Sequence, residues 1–382
     1  MRKDDSSASG SWIQSPDMRK GDPRRRRRES MYKLTRRSFM AGTLLPCCCT
    51  VGKFAPQRAA ATAEAQEQID SRMIAGAVFA RADEDEVTAL GLQCWKPRQL
   101  PMTAESKFDL ASVGKLFTAS ACVLLVCEGK LDPDAPFTKY LPEHVLAKEA
   151  CAITVRDLAT HSGGFSNAKP YENPDMTVFH RELFAKRPVR PRGEAFEYAC
   201  SNFILLGKIV ERITGERLDV FCRRTIWRPL GMTHTSWDPL TDDGHVVQFP
   251  GPRRIGAHND TTCNYCPFPT GNGSAFSTAG DMSRFVADVL ARRQFPREYY
   301  QMLFTCSFEK GKDRRSFGWD MRPSSIPEGF SPKTIVHTGF TGQTVAVDPE
   351  NGFAGVVLTN RLGDHAQAMD GRRRILRALF CG

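Results

Sequence analysis

The stretch FDLASVGKLFTASACVLLVCEGK, residues 108–130, constrains the fold of this chain more than any other. Its apolar run predicts a helix that is hydrophobic on nearly every side and therefore buried. Ser112 and Lys115 stand three residues apart at its head, on one face, with the amine within reach of the hydroxyl. A buried, unpaired ammonium is costly, so such a lysine persists where something uses it.

At 382 residues, with 41% hydrophobic and 25% charged positions, the chain is of globular type and holds one large domain or two ordinary ones. Its formal charge of +10 suggests a nucleic-acid partner until it is located. Residues 1–65 hold 14 Lys/Arg against 6 Asp/Glu, so only +2 belongs to the remainder. That distribution argues against nucleic-acid binding by the folded part. Residues 1–30, with the run Arg24 to Arg28, read as a disordered basic extension or an over-extended start before Met31. In residues 31–65 the pair Arg36 and Arg37 precedes a short apolar stretch and the small-residue segment AAATAEA. This resembles a twin-arginine export signal cut after Ala63 or Ala65, and it predicts a periplasmic or extracellular protein. The apolar part is too short, and too broken by Pro46, to span a membrane. Cys47 offers a lipid-attachment alternative, which Pro46 fits badly. Ten of the 13 cysteines follow residue 65, and export would permit some of them to pair. Cys263 and Cys266 form a lone C-x-x-C near His258, more in keeping with a loop disulfide or two thiols than with a metal site.

From residue 66 the pattern is that of one α+β domain. RMIAGAVFARADEDEVTALGLQCW predicts a hairpin around its acidic turn, and the helix at Ser112 follows. Between about 130 and 275 short helices and Pro/Gly-rich connections predict a mostly helical lobe. Thr154 and Asp157 are spaced as a capping box, Gly215 ends one helix and Thr278 caps another. Strands return in KTIVHTGFTGQTVAVDP and FAGVVLTNR, and a helix closes the chain. The early and late strands are expected to share one antiparallel sheet flanked by helices, with a site in the crevice beside the helical lobe. Arg372, Arg373 and Arg374 read as a solvated helix face, and His161 as a loop residue without a catalytic partner.

Three separated motifs then fit together: Ser112-x-x-Lys115, Tyr198 in FEYACSNFILLGK, and His337-Thr338-Gly339. With FDLASVGK, GKLDPDAPFTKYLPEH, TVRDLATHSGG and AFSTAGDMSRF in the same order, the chain resembles the serine β-lactamase and penicillin-binding-protein superfamily. The likeness is to its class C-like branch of β-lactamases, D-stereospecific peptidases and esterases. The resemblance covers residues 70–380 and implies a β-lactamase/transpeptidase-like fold. It also implies an acyl-enzyme mechanism without metal or organic cofactor.

It implies roles as well. Ser112 is the nucleophile; Lys115, whose pKa desolvation would lower, and Tyr198 are the base pair; the backbone N–H groups of Ser112 and Phe340 form the oxyanion hole. In relatives the tyrosine lies nine residues before the glycine of LLG, as Tyr198 does before Gly207, which makes Cys200 the counterpart of a usual Asn or Asp. The alternative register would give that amide role to Asn202. His337 stands where many relatives carry lysine. A neutral imidazole and a thiol are weaker partners for a β-lactam, so an ester or a D-amino-acid-containing peptide, in particular a cell-wall-derived one, is the expected substrate. A true β-lactamase, a D,D-carboxypeptidase, and a silent protein binding cell-wall peptides or a partner are the alternatives.

Overall fold

A computed structural model describes residues 53–96 and 99–382. The basic run, Arg36, Arg37 and Cys47 lie outside the described residues. The strands are β1 (Ile74–Arg81), β2 (Val87–Gly91), β3 (Lys107–Asp109), β4 (Val246–Val247), β5 (Phe276–Ser277), β6 (Phe308–Lys310), β7 (Asp313–Arg315), β8 (Ile335–Thr338), β9 (Gln343–Asp348) and β10 (Phe353–Arg361). The helices are α1 (Ala55–Asp70), α2 (Lys115–Cys127), α3 (Val155–Ala159), α4 (Met176–Phe184), α5 (Cys200–Thr214), α6 (Leu218–Cys222), α7 (Thr261–Tyr265), α8 (Ala279–Ala291), α9 (Arg297–Phe304) and α10 (His365–Cys381).

The expected sheet forms in the order β2-β1-β10-β9-β8, with every neighbouring pair antiparallel. Side chains alternate across it, because successive residues of a strand point to opposite faces. Phe79, Val336, Ala346, Phe353 and Val357 face one core with Ala61 and Ala65 of α1 and Ile375, Leu376 and Leu379 of α10. Val78, Ile335, Val345, Val347, Val356 and Leu358 face the larger core, with α2 and α8. A register shift between Ile74 and Ala77 restores both residues to the α1/α10 side. The same alternation places His337 on the face of Ile335, the side on which α2 lies.

The local signals mark element ends as expected. Thr154 and Asp157 form a capping box at α3, Gly215 stops α5 in a left-handed conformation (φ 69°), and Thr278 accepts from the Asp281 N–H at α8. Between residues 130 and 275 the helices α3 to α7 alternate with long irregular connections, and β4 is added to them. Two pairings had no clear signal. β3 runs parallel to β4 and antiparallel to β5 in a small separate sheet, and the β6–β7 hairpin is tied through Asp320 to Val336 of β8.

The junctions after Ala63 and Ala65 fall within α1, which packs on α10 and the sheet. Gln68 donates to the Gly371 carbonyl at 3.1 Å, Arg374 pairs with Glu64 at 3.0 Å, and Arg58 with Glu84 at 2.8 Å. Arg372 is not solvated. It is fully buried, donates to Thr344 Oγ1 and the Ala368 carbonyl, and is pushed down to about 9 by burial and by Arg361 and Arg373. Among the described residues no helix is long and apolar enough to cross a membrane.

Ala65 is fully buried. Ala65→Glu is therefore expected to lower stability by about 2–4 kcal/mol, by forcing a charge into the α1/α10 interface. Urea unfolding monitored by tryptophan fluorescence reads this, and an unchanged midpoint would show that α1 is dispensable.

Candidate active site

Ser112 sits where β3 turns into α2, in a single tight turn over Ala111–Gly114. Ala111, immediately before it, has φ 44°, a left-handed backbone that costs a side-chain-bearing residue about 1–2 kcal/mol. Two bonds hold it there. Its N–H donates to Asp109 Oδ1 at 2.8 Å, and its carbonyl accepts from the Ser274 N–H at 2.8 Å. Asp109 also accepts from the Asn259 N–H, so one buried carboxylate joins the turn to the loop before α7. The third motif approaches so closely that a Cβ on Gly339 would lie 2.6 Å from the Leu110 carbonyl, which explains the glycine.

Lys115 begins α2 and is fully buried. Its Nζ donates to Ser112 Oγ at 3.1 Å and to the Asn272 carbonyl, and lies 4.9 Å from the centre of the Tyr198 ring. Tyr198 Oη is 2.5 Å from Ser112 Oγ, so the three groups named from sequence meet. Cys200 Sγ lies 3.8 Å from the same ammonium. Asn202 is buried away from it, its amide 3.0 Å from His161 Nδ1. It is Cys200, not Asn202, that faces the lysine.

The expected lowering of the Lys115 pKa is not found. Burial acts to lower it, but Cys200 and Tyr198, and the hydrogen bond to Tyr198, outweigh that and raise it above the ordinary lysine value. Burial in turn raises the Tyr198 phenol, against the opposing pull of Lys115. At neutral pH the site therefore holds an ammonium and a neutral phenol.

Ser112 opens onto two clefts. One, of about 330 Å³, is lined with it by Phe196, Tyr198, Arg315, Arg322, His337 and Thr338. The other, of about 220 Å³, is lined by Lys169, Cys200, Asp260, Asn272 and Ser274. Phe340 borders both and is 51% exposed, its ring stacked on His365 and capped by the Arg361 guanidinium. His337 is pushed down to about 3 by burial, with Lys115 and Arg315 adding to it, and carries no charge at neutral pH.

The sequence reading missed the cation of this cleft. Arg315 ends β7 and is only 5% exposed; among the described residues its Nε has no hydrogen-bond partner, and its guanidinium lies on the Phe196 ring at 4.1 Å. Burial pulls it down to about 10, so it stays charged at neutral pH. Asp320 is 3.7 Å away, but its oxygens are occupied by Arg322 (2.7 Å), the Arg322 N–H and Ser325 Oγ. Arg322 reaches a further carboxylate, Asp313, at 4.0 Å. Nothing in RRSFGWDMR signals an active-site residue, because tertiary pairing of the hairpin with β8 brings it in. His161, expected to lack a partner, is buried with its ring against Tyr198. Cys263 donates to Asn272 Oδ1 at 3.4 Å, neither it nor Cys266 is in a disulfide, and among the described residues no group of three or more potential metal ligands occurs.

A family model described as Beta-lactamase matches residues 60–380, and the chain belongs to this family, which is one of serine hydrolases. The "Putative D-alanyl-D-alanine carboxypeptidase" of Escherichia coli (strain K12) is 29% identical over 308 residues, covering 68% of this chain and 70% of the relative. That of Salmonella typhi is 27% identical over 306 residues, with the same coverage. Among solved structures, the hydrolase EstCE1, which has promiscuous acyltransferase activity, matches with a TM-score of 0.71 at 20% identity, covering 85% of this chain and 98% of its own. D-alanine carboxypeptidase AmpC from Burkholderia cenocepacia matches with a TM-score of 0.69 at 20% identity, covering 84% and 98%. These two likenesses concern the fold, which is of the β-lactamase/transpeptidase type.

Since both Lys115 and Tyr198 are raised, the fraction able to accept a proton from Ser112 grows as pH increases. Labelling of the serine by a fluorophosphonate is expected to accelerate steadily from neutral into alkaline pH. A plateau already reached near pH about 8 would instead indicate a free amine at Lys115.

Proposed function

We propose that this protein is an exported serine hydrolase that forms an acyl-enzyme at Ser112 on D-amino-acid-containing peptides ending in a free carboxylate. The small ionised fraction of Tyr198, a phenolate stabilised by the Lys115 ammonium, takes the Ser112 proton as the hydroxyl attacks the carbonyl and becomes a phenol. The oxyanion is met by the N–H groups of Ser112 and Phe340, and the proton then passes to the leaving amine. Water repeats the sequence on the ester. Phe340, Thr338 and Gly339 border the carbonyl, and Cys200 faces the acyl chain.

The observation that carries the substrate class is Arg315. A buried guanidinium with an unpartnered Nε, in the cleft that Ser112 shares, suits a carboxylate, for which neutral His337 offers no charge. The names of the enterobacterial relatives agree with a peptide ending in D-alanine. Cys200 in place of an amide favours a second reading, an ester hydrolase with modest demands on the acyl side, and argues against an efficient β-lactamase.

Ser112→Ala is expected to abolish acyl-enzyme formation, and Lys115→Met or Tyr198→Phe to slow turnover by about 10²- to 10⁴-fold. Full turnover by Ser112→Ala would end the proposal. Arg315→Met separates the two substrate readings. It is expected to raise KM about 10- to 100-fold for a diacetylated Lys-D-Ala-D-Ala peptide, the loss of a hydrogen-bonded charge pair worth about 1.5–3 kcal/mol, and to leave p-nitrophenyl acetate hydrolysis unchanged. Equal losses on both substrates would favour the ester reading.

A further inference from the structure

Tyr198 lies in an irregular segment, residues 195–199, that belongs to neither a helix nor a sheet. Its phenol must nevertheless stand within hydrogen-bond distance of Ser112 if it is to take a proton. Three consecutive residues of that segment are fastened to one side chain and its own backbone. The Glu197 N–H donates to the His161 carbonyl at 2.9 Å, the Ala199 N–H donates to His161 Nδ1 at 3.2 Å, and between them the Tyr198 ring packs on the imidazole at 4.7 Å. From the other side α5 joins the same group, through the Asn202 amide at 3.0 Å and the Phe203 ring at 5.2 Å.

His161 is itself firmly set. It is almost fully buried in the turn after α3, at φ 58°, a left-handed conformation uncommon for a residue other than glycine. Ser162, next to it, accepts from the Gly193 N–H at 2.8 Å and donates to Asp157. Burial holds the imidazole well below its usual pKa, with Arg315, Lys115 and His337 adding to the effect, so Nδ1 keeps the lone pair that its donors need. Strained backbone at a buried site persists where the surroundings over-determine it.

The geometry points to His161 as the positioning residue of the proton-transfer pair, holding the Tyr198 phenol against Ser112 while touching neither substrate nor the reacting atoms. This goes beyond the roles of Ser112, Lys115 and Tyr198, and rests on the reading of Ser112 as nucleophile. A residue that only stabilises the fold would slow acylation equally whatever stands at 198. A residue acting through Tyr198 has nothing left to position once the hydroxyl is gone.

The test is a double-mutant cycle on full-length protein, reading the second-order rate of Ser112 labelling by a fluorescent fluorophosphonate, with thermal unfolding measured alongside. His161→Ala is expected to slow labelling about 10- to 100-fold, the cost of a displacement of about 1 Å at a reacting group. In the Tyr198→Phe background it is expected to slow labelling no further. If His161→Ala does not fold, the cycle is run with His161→Asn, which tolerates a left-handed backbone and can still accept from Ala199 but lacks the ring. The same fold-loss in both backgrounds, or no loss at all with Ser112 labelled, overturns the positioning role. Absence of label on Ser112 in the unsubstituted protein overturns the nucleophile reading, and this inference with it.

Discussion

The burial of one ammonium group organises the centre of this molecule. Lys115 has no exposed surface, and what makes that tolerable is a set of partners from four segments: Ser112 from the preceding turn, Tyr198 and Phe203 from beside and within α5, and the Asn272 carbonyl from the loop before β5. Each must be in place for the charge to be met, because an uncompensated buried charge costs several kcal/mol. The site and the packing of the helical lobe against α2 are therefore one problem. The strain at Ala111 belongs to it too, since Asp109 and Ser274 hold the turn in the shape in which Lys115 reaches Ser112.

Legibility in the sequence followed the range of the forces involved. The hairpin of β1 and β2, the capping box at α3, the αL stop at Gly215 and the apolar helix after Ser112 are set by residues within a few positions of one another, and each was readable. The meeting of Ser112, Lys115 and Tyr198 was readable only because three motifs in order resemble a family; spacing alone says nothing about a contact across 86 positions. Arg372 was misjudged for the opposite reason, Arg315 carried no signal, and nothing in the loop reading of His161 announced its contact with Tyr198. Their neighbours come from distant strands and loops, which composition does not report. The Lys115 pKa was misjudged in sign. Desolvation is visible in an apolar run, whereas the opposing influence of Cys200 and Tyr198 is not.

Charge in the main cleft is redistributed rather than missing. Where many relatives are expected to carry a lysine, His337 is neutral and sits on the α2 face of the sheet by the alternation of β8. The guanidinium of Arg315 enters from the β6–β7 hairpin, held by stacking on Phe196 instead of a strong ion pair. A planar group that approaches edge-on offers two parallel donors, and it demands an acceptor of matching shape more strictly than a flexible ammonium does.

The division at Phe340 has a kinetic consequence. Ser112 is common to both clefts, so under the proposed acyl-enzyme reaction the two products of cleavage would occupy separate compartments, the amine-side fragment leaving while the acyl fragment is still covalently held. The fate of such an acyl-enzyme would then be a competition for a vacated space of about 330 Å³ with arginines in its wall. Water would enter it at high concentration but without orientation, whereas a second molecule bearing both a nucleophile and a carboxylate would enter rarely and arrive already aligned. Partition of the proposed intermediate between water and such an acceptor would thus be a function of acceptor concentration, set by the geometry of one aromatic residue and one buried arginine.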